Sequence, residues 1–230
     1  MFKPNDNVDF SESVEIKELV DKNELDTLCK TFGFSLKAER LTALASYLNF
    51  LSAWNKVTNL VGKNNWQDML SYLITDSFYL ATFLSELQKQ KILPTKQIET
   101  WDLGAGAGLP GIPLRMLWQD GTYYLIEPRT KRVLFMQAFL SACPLPSTFV
   151  FKGKAETFFK GRKADLILSR AFMPYPALLN LVKNQLKKNG IVIVLSNDPA
   201  GQSLEGWTLL SQFEYKILEN KRYFWALSLN

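Results

Sequence analysis

The chain contains no histidine. That absence removes the commonest general base, the serine–histidine and cysteine–histidine nucleophile pairs, and most zinc sites. Any chemistry here proceeds without imidazole, and no metal is expected. Cysteine is almost as scarce. Cys29 and Cys143 are far apart, with no metal-ligand or redox spacing. They read as reduced thiols of a cytoplasmic protein. No apolar run approaches the roughly 18–20 residues that a membrane span needs. The stretch "MFKPNDNVDFSESVE" is acidic and polar with no apolar signal core, so secretion is not expected either. Glycine is sparse, 12 in 230 residues, yet Gly104, Gly106, Gly108 and Gly111 crowd into one short stretch.

What remains describes a folded globular protein. Hydrophobic residues make up 47% and charged residues 21%. The length fits one large α/β domain, or one domain with a helical extension. The net charge of +5 is unevenly spread. Residues 1–30 carry eight acidic and four basic groups, which leaves 23 basic against 14 acidic in the other 200. A basic body suits an anionic partner such as nucleic acid, although many soluble proteins share that feature.

The first third reads as helical. Glu15 to Phe32 is amphipathic, and Leu41, Leu44, Leu48, Leu51 and Trp54 mark one face of a helix from Leu36 to Trp54. "NKVTNLVGKNN" is a polar connector, Trp66 to Gln88 a third helix, and Pro94 closes the region. From Ile98 short apolar runs alternate with helical segments. The strands are "IETWDL", "TYYLIE", "STFVFKG", "ADLILSRA" and "IVIVLS". The helices run from about Ile112 to Trp118, Lys131 to Ala142 and Tyr175 to Lys187, the last ended by Gly190. This alternation predicts a mostly parallel sheet covered by helices. The last two strands flank "ENKR" with no room for a helix, so they form an antiparallel hairpin. The expected organisation is a helical cap over residues 1–94 and a sheet domain over 95–230.

In a doubly wound sheet, ligands bind beyond the carboxyl ends of the strands. The turn after "TWDL" lies there, and its glycines permit close backbone approach. The dinucleotide pattern G-x-G-x-x-G fails from Gly104, because Leu109 stands at its last position. It fits from Gly106 only late in the turn. No G-K-[ST] follows, which excludes a Walker loop. The best fit is D-x-G-x-G-x-G at Asp102, Gly104, Gly106 and Gly108. That pattern resembles motif I of the class I S-adenosylmethionine-dependent methyltransferases. The resemblance implies a seven-stranded Rossmann-like sheet and an acidic residue at the end of the next strand that holds the ribose. Glu127 stands there, and a carboxylate accepts two hydroxyl donors.

A narrower resemblance covers roughly Leu36 to Leu195. "WNKVTNLVG", "DLGAGAGLPGIPL", "EPRTKRVLFM" and "LSRAF" resemble, in order and spacing, the bacterial 16S ribosomal RNA guanine-N7 methyltransferases, the glucose-inhibited division protein B family. The resemblance implies S-adenosylmethionine as cofactor and a guanine N7 of small-subunit ribosomal RNA as methyl acceptor. It implies that Asp102, Gly104, Gly106 and Gly108 shape the cofactor loop, and that Glu127 holds the ribose. Ala155 and Glu156 would border the adenine. Arg170 would face cofactor and substrate as the catalytic residue, and Asn59 and Leu60 would close the site. The protein would act as a monomer in the cytoplasm on the RNA or the assembled small subunit.

Of the basic groups, Arg129, Lys131 and Arg132 are the RNA candidates. They open a helix, where the dipole disfavours cations unless an anion offsets them. The cluster from Lys152 to Lys163 is a second candidate. Lys183, Lys187 and Lys188 suit a helix end. The sequence departs from the family pattern where "YLITDS" replaces R-H-I-x-D-S, and where "VLSN" replaces a lysine followed by glycine. Both departures remove positive charge near the expected cleft. Three readings therefore stay open. One is the guanine-N7 enzyme. The second is a methyltransferase of the same fold with another RNA or a small molecule as substrate. The third is a non-catalytic binding paralogue.

Overall fold

A computed structural model describes residues 20–201 and 204–230. The acidic residues 1–19, with the expected helix start at Glu15, lie outside the described residues. Helix α1 spans Lys22–Thr31, and α2 spans Ala38–Thr58. The side chain of Asp21 caps α1 by accepting from the N–H groups of Asn23 and Glu24. A third helical run begins as α3 (Trp66–Met69) and ends as α4 (Thr75–Lys89). Between them, Leu70–Ile74 is a π-helical segment. The sequence pattern read Trp66 to Gln88 as one helix.

Seven strands follow. They are β1 (Glu99–Leu103), β2 (Thr122–Glu127), β3 (Thr148–Lys152), β4 (Ala164–Arg170), β5 (Leu186–Ser196), β6 (Trp207–Ile217) and β7 (Asn220–Leu229). The sheet order is β3-β2-β1-β4-β5-β7-β6. β1 to β5 pair in parallel, and β7 is antiparallel to both neighbours. The connecting helices are α5 (Gly111–Leu117), α6 (Thr130–Ala142), α7 (Ala155–Phe158) and α8 (Tyr175–Val182). The parallel strands carry continuous apolar runs because both faces are covered. On one face Ile112, Phe135, Phe139 and Phe224 share a buried cluster with Leu25, Leu48 and Leu84 of the first four helices. On the other, Trp101, Ile167 and Trp225 pack with Phe158, Leu178 and Val182.

Two boundaries differ from the sequence reading. α8 ends at Val182, and Gly190 lies inside β5. A Cβ at Gly190 would come within 2.8 Å of the Ala164 carbonyl oxygen. This glycine therefore permits strand approach and is not a helix stop. Lys187, read as part of a helix end, sits in β5 and pairs with Asp165 at 2.8 Å. The hairpin turn is also tighter than "ENKR". Ile217 pairs with Asn220, which leaves Leu218 and Glu219 as the loop and puts Lys221 and Arg222 in β7.

Candidate active site

The sheet order reverses between β1 and β4, and the crevice at that point is where such sheets bind ligands. The glycine loop leaves β1 there. Gly104, Gly106 and Gly108 all have positive φ, between 61° and 78°, a region that side chains rarely adopt. Around Gly106 there is room for a Cβ without a clash, in ordinary contact with its surroundings. A Cβ built there meets nothing nearer than Arg132 Nη1 at 3.6 Å. Gly104 instead packs under Phe172, whose ring would lie 2.6 Å from an added Cβ.

Asp102 organises this loop from below. It is buried, and its carboxylate accepts from the Tyr123 hydroxyl at 3.1 Å and from the Gly111 N–H. Burial raises its pKa to about 7, against the opposing hydrogen bonds and the Arg170 charge. Gly111, unassigned in the sequence reading, lets α5 start flush against the strands. A Cβ there would fall 2.6 Å from Asp102 Oδ2 and 2.4 Å from Leu125 Cδ2.

Glu127 ends β2 and is 2% exposed. Its Oε2 accepts the Gly106 N–H at 2.9 Å, and its Oε1 accepts the Arg129 N–H at 3.0 Å. Each oxygen keeps a second lone pair for a ligand donor. Arg132 Nη1 stands 3.7 Å from Glu127 Oε2. The side chain expected to face RNA is therefore turned toward the glycine loop. Arg129 and Lys131 are exposed and line a groove of about 330 Å³ with Asn59, Leu60 and Arg132. Ala155 is buried at the start of α7 and Glu156 is exposed. The preceding Gly153 N–H donates to the Glu127 carbonyl at 3.1 Å, which holds that turn beside the β2 end.

The first helices are hydrogen-bonded to the loop. The Tyr47 hydroxyl donates to the Ala107 carbonyl at 2.8 Å, and the Ser77 hydroxyl donates to the Pro110 carbonyl at 3.0 Å. In the W-N-K-x-x-N-L box, Asn55 fixes the connector. Its side chain accepts from the Val61 N–H and donates to the Lys63 carbonyl. Asn59 ends α2 in the left-handed conformation that asparagine tolerates.

Arg170 ends β4. The π segment turns with an i→i−5 bond, Thr75 N–H to Leu70 carbonyl. The Leu73 carbonyl accepts from Arg170 Nη1 at 2.7 Å, and the Tyr72 carbonyl lies 3.5 Å from Nη2. Nη2 also lies 3.2 Å from Asp76 Oδ2. Asp76 is 2% exposed and takes two further donors, the Tyr215 hydroxyl at 2.8 Å and Arg222 Nη1 at 2.8 Å. Burial and the Asp76 charge hold the Tyr215 phenol far above its ordinary range, so it stays neutral. A cleft of about 470 Å³ opens beside this cluster, lined by Arg170, Ser196, Asn197, Asp198, Tyr215 and Arg222 among others. The sequence reading singled out Arg170 but missed Arg222 and Tyr215, which come from the hairpin.

The profile of the GidB family, rRNA small subunit methyltransferase G, matches residues 40–220. The chain belongs to the GidB family. A ribosomal RNA small subunit methyltransferase G of Oleidesulfovibrio alaskensis is 44% identical over 220 residues, covering 90% of this chain and 94% of the relative. The protein of the same name from Nitratidesulfovibrio vulgaris strain DP4 is 47% identical over 210 residues, with 90% and 94% covered. Among solved structures, a methylase from Haemophilus influenzae matches 66% of this chain and 89% of its own, with TM-score 0.50 and 20% identity. A mutant of MtNAS in complex with S-adenosylmethionine matches 90% and 84%, with TM-score 0.55 and 12% identity. At that identity the structural likeness concerns the fold alone. For this GidB-family chain it agrees with a class I methyltransferase sheet ending in an antiparallel pair.

Proposed function

We propose that this chain transfers the methyl group of S-adenosylmethionine to guanine N7 of 16S ribosomal RNA in the small subunit. The observation that supports this is that a member of the rRNA small subunit methyltransferase G family has a positive-φ glycine loop, a buried carboxylate at the end of the next strand and an arginine-lined cleft at the end of the strand beside that loop. The residues fit the cofactor. The loop carries its backbone past Gly106 in a positive-φ conformation without a side chain, and Glu127 keeps lone pairs for two hydroxyls. Asp102, Gly104, Gly106 and Gly108 shape the loop, Glu127 holds the ribose, and Ala155 and Glu156 border the adenine. Bound there, S-adenosylmethionine supplies an electrophilic methyl on a cationic sulfonium.

Guanine N7 carries a free lone pair at neutral pH, so the acceptor loses no proton before it attacks. A chain without histidine suffices, because alignment and electrostatics supply the rate. Arg170 sets the height of the cap over the cleft through the Leu73 carbonyl and Asp76. Arg129 and Lys131, exposed in the outer groove, receive RNA phosphates, and Arg132 bridges that groove to the cofactor corner. The protein acts as a cytoplasmic monomer, and no described helix is long and apolar enough to cross a membrane.

The test is labelled methyl transfer to bulk RNA and to small subunits across a salt series. RNA recognition by lysines and arginines predicts label in RNA, with binding that weakens steeply as salt rises. Label appearing only in small molecules, with no salt dependence, overturns the reading.

A further inference from the structure

The cleft beside the cofactor loop contains one arginine with donors to spare. β7 runs antiparallel to β5 and pairs Tyr223 with Ser196, so the hairpin carries Arg222 to the sheet edge where β1, β4 and β5 end. Arg222 Nη1 is committed to Asp76 at 2.8 Å. Its Nε is buried with no hydrogen-bond partner, and Nη2 makes no hydrogen bond among the described residues. A buried guanidinium N–H without an acceptor is costly and rare. Nε and Nη2 form one edge of the planar group, the edge that takes two oxygens of a single anion.

Arg170, the other cation of the cleft, is in a different state. Both of its terminal nitrogens are engaged by the Leu73 and Tyr72 carbonyls and by Asp76. It is a positioning residue between β4 and the π segment. Asp76, Arg170 and Arg222 together carry one net positive charge, and Tyr215 adds none. The remaining charged group of the lining, Asp198, is exposed to solvent, which screens its charge more than those of the buried cluster. The β5 end contributes Ser196 and Asn197, which carry no charge.

We propose that Arg222 binds a phosphate of the target nucleotide through its Nε–Nη2 edge, the guanidinium turning slightly to uncover the buried Nε as the nucleotide enters. This rests on the function proposed above and adds the group by which the nucleotide is held. The cleft volume of about 470 Å³ suits a mononucleotide. Two guanine-nucleotide features match an arginine fork, the O6–N7 pair and a phosphate. N7 is the methyl acceptor, and its lone pair must stay free for attack. The fork therefore takes the phosphate, which leaves the base free to turn N7 toward the loop after β1.

The probes are guanosine 5′-monophosphate and guanosine, titrated by calorimetry or ligand-observed NMR into protein saturated with S-adenosylhomocysteine. The expected wild-type result is a preference for the monophosphate of about tenfold or more, the range of a charge-assisted bidentate contact. In R222Q the preference falls to about twofold or less. Asp76 keeps Arg170 and Tyr215 in that variant, so cofactor affinity and melting temperature serve as controls. If R222Q does not fold, R222K carries the test. It keeps the charge but loses the fork, and the preference drops several-fold. No preference in the wild type, or an unchanged preference in either variant, overturns the proposal. A collapsed preference without any RNA methylation would keep the phosphate site and refute the RNA reading. Methylation with an unchanged preference would refute this inference alone.

Discussion

Replacing Glu127 with glutamine tests the cofactor corner with a change of almost no volume. The carboxylate sits between two backbone donors, Gly106 N–H at 2.9 Å on Oε2 and Arg129 N–H at 3.0 Å on Oε1. An amide in that slot has one acceptor atom and one donor atom. Whichever way it turns, its NH₂ faces one of the two backbone N–H groups. It also presents one acceptor in place of two to the ribose hydroxyls and lacks the charge. A hydrogen bond to a charged group contributes about 1.5–3 kcal/mol. Losing one, and weakening the other, costs about 2–4 kcal/mol of cofactor binding, roughly 30-fold to 1,000-fold in Kd. Titration calorimetry with S-adenosylmethionine measures this directly, with circular dichroism as the check that β2 is intact. An affinity within threefold of wild type would refute the placement of the ribose on Glu127.

Other outcomes follow from the same geometry. Asp102 has its pKa raised to about 7 by burial. The folded state therefore holds a proton that the unfolded chain releases near pH 4, and this contribution to stability is lost as pH rises from about 4 to 7. Asp102→Asn removes that slope. Relative to the variant, wild type should be about 2–3 kcal/mol better off at pH 5 than at pH 8 by urea denaturation, and an unchanged difference would contradict it. Arg115 is fully buried, and its guanidinium donates to the carbonyls of Trp118, Gln119, Asp120, Gly121 and Pro146, with Nε on Thr148. Arg115→Met leaves these buried and part-buried carbonyls without that donor and should destabilise by about 3–5 kcal/mol in a denaturant titration, and a loss below about 1 kcal/mol would show that the turn satisfies itself. Arg170→Ala should leave cofactor affinity within about threefold but slow transfer by up to about a hundredfold, because the cap over the cleft shifts. Unchanged single-turnover rates would remove Arg170 from the site.

The glycine loop and the strand-end carboxylate were legible because they are local. The residues from Asp102 to Gly108 and the strand-terminal Glu127 belong to two adjacent strands, and the fold joins them through the Gly106 N–H on Glu127. The alternation from Ile98 onward predicted the mostly parallel sheet for the same reason, though not its strand order. The arginine-lined cleft was not legible. Arg222 joins Asp76 across 146 positions, and a turn read as "ENKR" hides the fact that Arg222 belongs to β7. Gly190 resembled a helix stop because lysines precede it, whereas a close approach to the Ala164 carbonyl is what requires it. The π segment left no mark in the apolar spacing of Trp66 to Gln88. Arg132 reads from the sequence as an RNA-facing charge at a helix start, and only the fold turns it toward Glu127.

The most direct test of the central claim is nucleoside identification after methyl transfer. Small subunits from a strain that lacks its own family enzyme are incubated with the protein and methyl-labelled S-adenosylmethionine, and the 16S RNA is digested to nucleosides. The account predicts label in 7-methylguanosine. Label in another nucleoside, or none despite intact cofactor binding, would contradict it.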